Sequence, residues 1–153
     1  MGWTPTPQAS WVKSFNALGD NLGSRAMAEM ISLQESEILR AAENATGFSE
    51  FGDQGFRDGL GRLLQALEAE AELSFLGRLL ARQEVQRILQ TRLEVQATLS
   101  ARPSILQETI EQPVFVTGLA RTGTTFLHEL LTQDLRNRVP MLWETMYPSP
   151  PPT

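Results

Sequence analysis

The chain has 153 residues, room for one ordinary domain, which at this size hides roughly 70% of its unfolded surface. It contains no cysteine, which excludes disulfides, thiolate metal sites and a cysteine nucleophile and fits a cytoplasmic location. The formal net charge is −5, and from Pro113 onward Arg121, Arg136 and Arg138 balance Glu129, Asp134 and Glu144, so the acidic excess lies upstream. Without clustered Lys and Arg, a nucleic-acid partner is not expected.

No run approaches the ~18 apolar residues of a membrane span, and no basic region followed by an apolar core opens the sequence. Gly2 and Thr6 spell a myristoylation pattern, with Trp3 and Pro5 making a poor acceptor, and Asn44-Ala45-Thr46 spells a glycosylation sequon. Neither is expected to be used.

The elements begin with an amphipathic helix. Trp11, Phe15, Leu18 and Leu22 recur at helical spacing behind Ser10, a plausible N-cap. Ser32 and Glu35 form a capping-box pattern ahead of Ile38, Leu39 and Ala42, with Gly47 as a stop. The stretch Gly47–Gly55 carries turn chemistry, and Phe48 and Phe51 are expected to tuck under it. A third helix follows from Phe56 with Leu60, Leu63, Leu64 and Leu67 in a stripe and Asp53 as a possible cap. Its Gly59 and Gly61 each cost up to ~1 kcal/mol against Ala and could permit close helix contact. Ser74 starts a fourth, longer helix bearing Leu76, Leu79, Leu80, Ile88, Leu89 and Leu93, with arginines expected on its other face and an end before Pro103. The third and fourth helices read as an antiparallel pair whose leucines pack on each other. A short helical piece is expected at Ile105–Glu111.

The character changes at Pro113, so residues 1–112 read as a helical region and 113–153 as the start of a second domain. Val114-Phe115-Val116 suits a buried parallel strand, and the closing "YPSPPPT" suits an extended tail. Between them, Gly118-Leu-Ala-Arg-Thr-Gly123 has the G-x-x-x-x-G spacing of a phosphate loop, followed by Thr124 and Thr125. Glycines let backbone N–H groups approach an oxyanion, and the following helix aims its positive end at the same point. The lysine that would reach the β and γ phosphates of ATP is replaced by Thr124, and the only cation in the loop is Arg121. Arginine there suits a short anion better than a triphosphate with Mg²⁺. A lone strand without neighbours leaves its donors and acceptors unpaired, so the chain is expected to be the N-terminal part of a larger α/β protein.

The run "PVFVTGLARTGTTFLHELLTQD" with "NRVPMLWETMYPSPPP" closely resembles the bacterial sulfotransferase family, whose loop has the form G-L-P-R-[ST]-G-T-T-x-L-H. The upstream helices resemble that family's helical N-terminal region, so the resemblance covers nearly the whole chain. It implies an α/β fold related to nucleotide kinases, here reduced to helices, one strand, the loop and its helix. It also implies 3′-phosphoadenosine 5′-phosphosulfate (PAPS) as sulfuryl donor, no essential metal, and a small or lipid-like hydroxyl acceptor. By position, Gly118, Arg121, Thr122, Gly123, Thr124 and Thr125 would bind the 5′-phosphosulfate. Ala120 stands where the family usually has proline.

The resemblance also makes Glu144 a candidate general base, in a setting formed by Trp143 and Tyr147. Its alternative is a cap or a pairing with Arg136 or Arg138. His128 could face the sulfuryl group as acid, base or donor, or bond to a neighbouring loop. Arg121 would stabilise the charge that develops during transfer. The family's 3′-phosphate ligands lie downstream of the matching segment, so the 153-residue chain is expected to be inactive alone. Two other readings are a P-loop kinase with an unusual loop and a catalytically dead helical binding module.

Overall fold

The computed structural model describes residues 7–149. Gly2 and the last four residues of the proline-rich tail lie outside them. Six α-helices and one 3₁₀ turn are formed among these residues: α1 Ser10–Met30, α2 Glu35–Thr46, α3 Phe56–Ala69, α4 Phe75–Ala101, the 3₁₀ turn Pro103–Gln107, α5 Thr124–Leu131 and α6 Leu142–Met146. The backbone separates into two units, meeting in sequence at Ala97 and Thr98.

The first unit holds the core. Ile38, Leu39 and Ala42 of α2, Leu60 and Leu64 of α3, Val85, Leu89 and Leu93 of α4, and Leu33 and Phe51 from the connecting loops form one buried cluster. Each large apolar side chain so buried contributes about 1.5–3 kcal/mol. Gly47 ends α2 in the left-handed conformation at φ 73°, as its position predicts. The Ser32–Glu35 box does not form: the Ser32 hydroxyl accepts from the Gln34 N–H at 3.2 Å, and Gln34 itself is the N-cap. Asp53 acts one step before α3, accepting from the Gly55 N–H at 2.8 Å. Ser74 accepts from the Gly77 N–H at 3.2 Å at the start of α4. Phe51 is buried as expected, whereas Phe48 is exposed.

The arginines of α4 depart from expectation. Arg78 is buried, donating through Nε to the Ile31 carbonyl at 2.6 Å and through Nη2 to Glu68 at 2.6 Å. Arg82 donates to the Ser32 carbonyl. Arg92 donates to the carbonyls of Phe51 and Asp53, both at 2.7 Å, and lies 4.4 Å from the centroid of the Phe56 ring. These carbonyls belong to the α1–α2 and α2–α3 connections, where no helix or sheet satisfies them. The guanidinium forks do so from α4, because a long apolar stem carries the charge to the loop.

α1 also packs differently from the leucine pattern. Ser10 is its first helical residue, the N-cap being Ala9. Gly23, at φ 78° and ψ 159°, breaks it into two helical pieces. Trp11, Leu18 and Leu22 are exposed. Contact runs instead through Phe15, whose ring lies 5.1 Å from that of Phe75, and Asn16, whose Oδ1 accepts from the Leu76 N–H at 3.0 Å. Gly19 sits so close to α4 that a Cβ there would come within 2.4 Å of the Phe75 Cβ. Of the two α3 glycines, Gly61 faces Glu35 while Gly59 faces open space.

The second unit has no strand among its described residues, correcting the expectation for Val114–Val116. A ladder requires a second strand to exchange N–H and C=O bonds, and this sequence offers none. Val114 and Phe115 are exposed. The 3₁₀ turn is shorter and earlier than the helical piece expected at Ile105–Glu111. After α5, Asp134 accepts from the Arg136 backbone N–H and Nε, both at 3.0 Å. The Arg136 side chain, then its backbone N–H, hold this carboxyl below the ordinary aspartate range.

Three outcomes follow for folding. Gly19→Ala should destabilise the chain by about 1–3 kcal/mol through overpacking, while Gly59→Ala should stabilise it by up to about 1 kcal/mol; denaturant melts of both separate close packing from helix propensity. Arg78→Met should cost about 1.5–3 kcal/mol, the range for hydrogen bonds to a charged group, read as a lower urea midpoint. A carboxyl with a depressed folded pKa stabilises above its unfolded pKa, and that contribution disappears as pH falls through the folded value. In a carbon-detected titration Arg136→Ala should therefore move the Asp134 midpoint upward.

Candidate phosphate loop

The loop after the strandless segment is shaped by two left-handed residues. Gly123 has φ 87°, open to glycine at little cost. Arg121 has φ 64°, a conformation that costs most side chains of order 1 kcal/mol or more and that tends to occur where a loop is functional. Gly118 is constrained differently. A Cβ placed on it would lie 2.7 Å from Thr122 Oγ1 and 2.9 Å from Thr124 Cγ2, so the loop folds back over a position only glycine can occupy. The Thr122 hydroxyl locks the curl by donating to the Leu119 carbonyl at 2.7 Å.

Gly123 is also the N-cap of α5. The first bond into the helix runs from the Leu127 N–H to the Gly123 carbonyl at 3.0 Å. The N–H groups of Thr124, Thr125 and Phe126 therefore precede the ladder and face outward, where the helix presents partial positive charge. The guanidinium of Arg121 is exposed and forms no ion pair among the described residues. A Gly-lined curl, free amides at a helix start, hydroxyls and one exposed cation are the donors that a small oxyanion would need.

The structure thus brings Gly118, Thr122 and Thr124 together, with Gly123 open to space, and leaves Arg121 and Thr125 exposed. His128 lies on α5, exposed, and its ring makes no hydrogen bond among the described residues. Glu144 is held apart on α6. Its Oε1 accepts from Arg138 Nη2 at 2.7 Å and its Oε2 from the Met141 N–H at 2.6 Å. Of the two arginines considered from sequence, Arg138 is its partner, and Arg136 pairs with Asp134 at 2.7 Å. Sequence reasoning missed Met141 as the other half of this cap, because its side chain is none of the usual capping residues.

No curated protein matches the chain. The chain is similar to the crystal structure of a sulfotransferase from Mycobacterium tuberculosis H37Rv at 36% identity and a TM-score of 0.73, over 78% of this chain and 33% of that one. It therefore spans a third of the length of the solved enzyme. Residues 113–152 match the family described as "Sulfotransferase family", which places the loop, α5 and α6 within the matched segment. Residues 113–152 thus match the sulfotransferase family, and the likeness to a solved bacterial sulfotransferase extends over most of the chain.

Proposed function

We propose that this chain supplies the 5′-phosphosulfate-binding part of a sulfotransferase, which transfers a sulfuryl group from PAPS to an acceptor hydroxyl on a small or lipid-like molecule. The observation that carries the reading is the loop at Gly118: a cradle that a Cβ would fill, opening onto the free amides of α5 and the unpaired Arg121. The residues fit one phosphate and one sulfuryl group, and the missing lysine is explained by the absence of β and γ phosphates. PAPS supplies the activated sulfuryl group when bound. Arg121 then offers a planar pair of donors to the oxygens on which charge accumulates, and the Thr122, Thr124 and Thr125 hydroxyls orient them. The fold this implies is the α/β phosphate-loop fold of the family, and its place is the cytoplasm.

Glu144 is the proposed base. An ionised carboxylate has about four acceptor positions, and Arg138 and the Met141 N–H occupy one on each oxygen. The remaining positions are open to an acceptor hydroxyl, whose proton Glu144 would take as the oxygen attacks sulfur. The two bonds hold the carboxylate in place. His128 is the second candidate for handling that proton or for donating to the sulfuryl oxygens.

The binding step is testable on the chain alone. Titration with adenosine 5′-phosphosulfate, followed by amide shifts, should move Gly118–Phe126, with Gly118→Ala and Arg121→Ala each weakening binding about 10- to 100-fold, the scale of a lost charge-assisted contact. Tighter binding of ATP that requires Mg²⁺ would favour a kinase. No shift with any nucleotide, and no effect of Arg121→Ala, would favour a catalytically dead module.

A further inference from the structure

The first unit contains a cleft of about 440 Å³, a volume on the scale of small-ligand sites. One face of α3 forms its wall, with Gly61, Leu64, Gln65 and Glu68 at helical spacing. The chain entering α2 at Ser32–Glu35 lines it as well, together with Arg78 of α4. Gly61 keeps the space open, since the nearest atom to a Cβ built there is Glu35 Oε2 at 3.7 Å. Arg78 marks the cleft as more than a gap in packing. Its side chain is only 6% exposed. Nε and Nη2 are bonded to Ile31 and Glu68, whereas Nη1 has no partner among the described residues and is not sealed from solvent. A guanidinium donor held in a buried position without an acceptor is costly, and the cleft is where this one can meet an acceptor.

The other polar groups of the cleft are unspent in both senses. The Gln65 amide makes no hydrogen bond among the described residues, and the Ser32 hydroxyl accepts one but donates none. Glu68 binds Arg78 through Oε2 and Glu35 binds Arg57 through Oε1, so Glu68 Oε1 and Glu35 Oε2 accept nothing. Charge cancels in these two ion pairs, at 2.6 Å and 3.1 Å. An anion drawn to Arg78 would therefore meet two carboxylate oxygens, and a cation drawn to those oxygens would meet Arg78. A neutral hydroxyl suits both, because it accepts and donates at once. The buried Leu33 and Leu64 add an apolar surface for the C–H groups of such a molecule. We propose that this cleft binds a neutral polyhydroxylated molecule of one or two sugar rings. Arg78 Nη1 donates to one hydroxyl oxygen, and Glu35 Oε2 and Glu68 Oε1 accept from others. The site lies wholly in the first unit and is independent of the donor proposed above.

Titration of the full chain, followed by the Arg78 Nε–H and Gln65 side-chain amide signals, tests the site. The probes are methyl glucoside, methyl galactoside and myo-inositol, with inorganic phosphate and methylamine as the charged alternatives. At least one of the three neutral probes should shift both signals saturably at about millimolar concentration. Gly61→Leu, which fills the cleft, should weaken that binding about 10-fold or more. Gly59→Leu puts the same side chain on the same helix where it meets open space, and should leave binding unchanged. Gln65→Ala, at an exposed position outside the core, should weaken it about 3- to 10-fold and keeps the test valid if Gly61→Leu lowers the urea midpoint. Binding of a neutral probe that neither Gly61→Leu nor Gln65→Ala weakens would place it elsewhere and overturn the proposal. Shifts with phosphate or methylamine and none with the neutral probes would overturn it as well, as would no shift with any probe. Failure of nucleotide titration at the loop would leave these results standing, so the two readings fail separately.

Discussion

The first unit depends on arginines that reach from α4 into the loops of the helices packed on it. A helical unit can pair the backbone inside each helix, but its connections carry carbonyls with nowhere to go once the core closes over them. Arg78, Arg82 and Arg92 answer that constraint at Ile31, Ser32, Phe51 and Asp53. Each guanidinium fixes a loop against the longest helix. The apolar cluster from Leu33 to Leu93 can then be closed by chain segments that are not themselves regular. The ion pair of Arg78 with the half-exposed Glu68 neutralises the one guanidinium that is buried, avoiding an uncompensated buried charge.

The second unit is organised by the opposite economy. Among its described residues it has hydrogen bonds that fix local shape but no buried apolar side chain. Thr122 curls the loop, Gly123 starts α5, Asp134 gathers Arg136, and Glu144 ties Arg138 to the first turn of α6. These are short-range bonds, made between residues within six positions of one another. They can form the curled loop without a sheet, because amides at a helix start and a glycine curl need only local sequence. The flanking apolar residues, by contrast, are not enclosed by these local bonds and stay exposed. The cradle and the surface around it therefore have different requirements within one stretch of chain.

Glu144 illustrates how a structural role leaves room for the chemical one proposed for it. Its carboxylate caps α6 and pairs with Arg138, which would ordinarily identify a stabilising residue. A base must also be held in position, and two bonds that leave lone pairs unoccupied hold it without consuming it. Arg121 lies at the other extreme, without an ion pair among the described residues and maintained in a left-handed backbone conformation. Strain of that kind persists where the surrounding loop enforces it, here through the bond across Leu119 and Thr122.

Helix positions, the stop at Gly47, the start at Ser74 and the phosphate-loop spacing were legible in the sequence because each depends on neighbours a few residues away. Propensity, capping and glycine geometry act at that range. Which face of a helix is buried was less legible. Trp11, Leu18 and Leu22 have the right spacing for a core, yet α1 packs through Phe15, Asn16 and Gly19 because Gly19 permits the closest approach to Phe75. The α4 arginines looked like a solvated face by charge alone, and only the position of unpaired loop carbonyls drew them inward. Val114–Val116 has strand composition but no strand, since pairing is a property of two segments. The sequence by itself determined the local elements and the shape of the glycine-bracketed loop. Tertiary structure alone decided which side chains are enclosed and which backbone remains unpaired, because burial and pairing depend on residues that are distant along the chain.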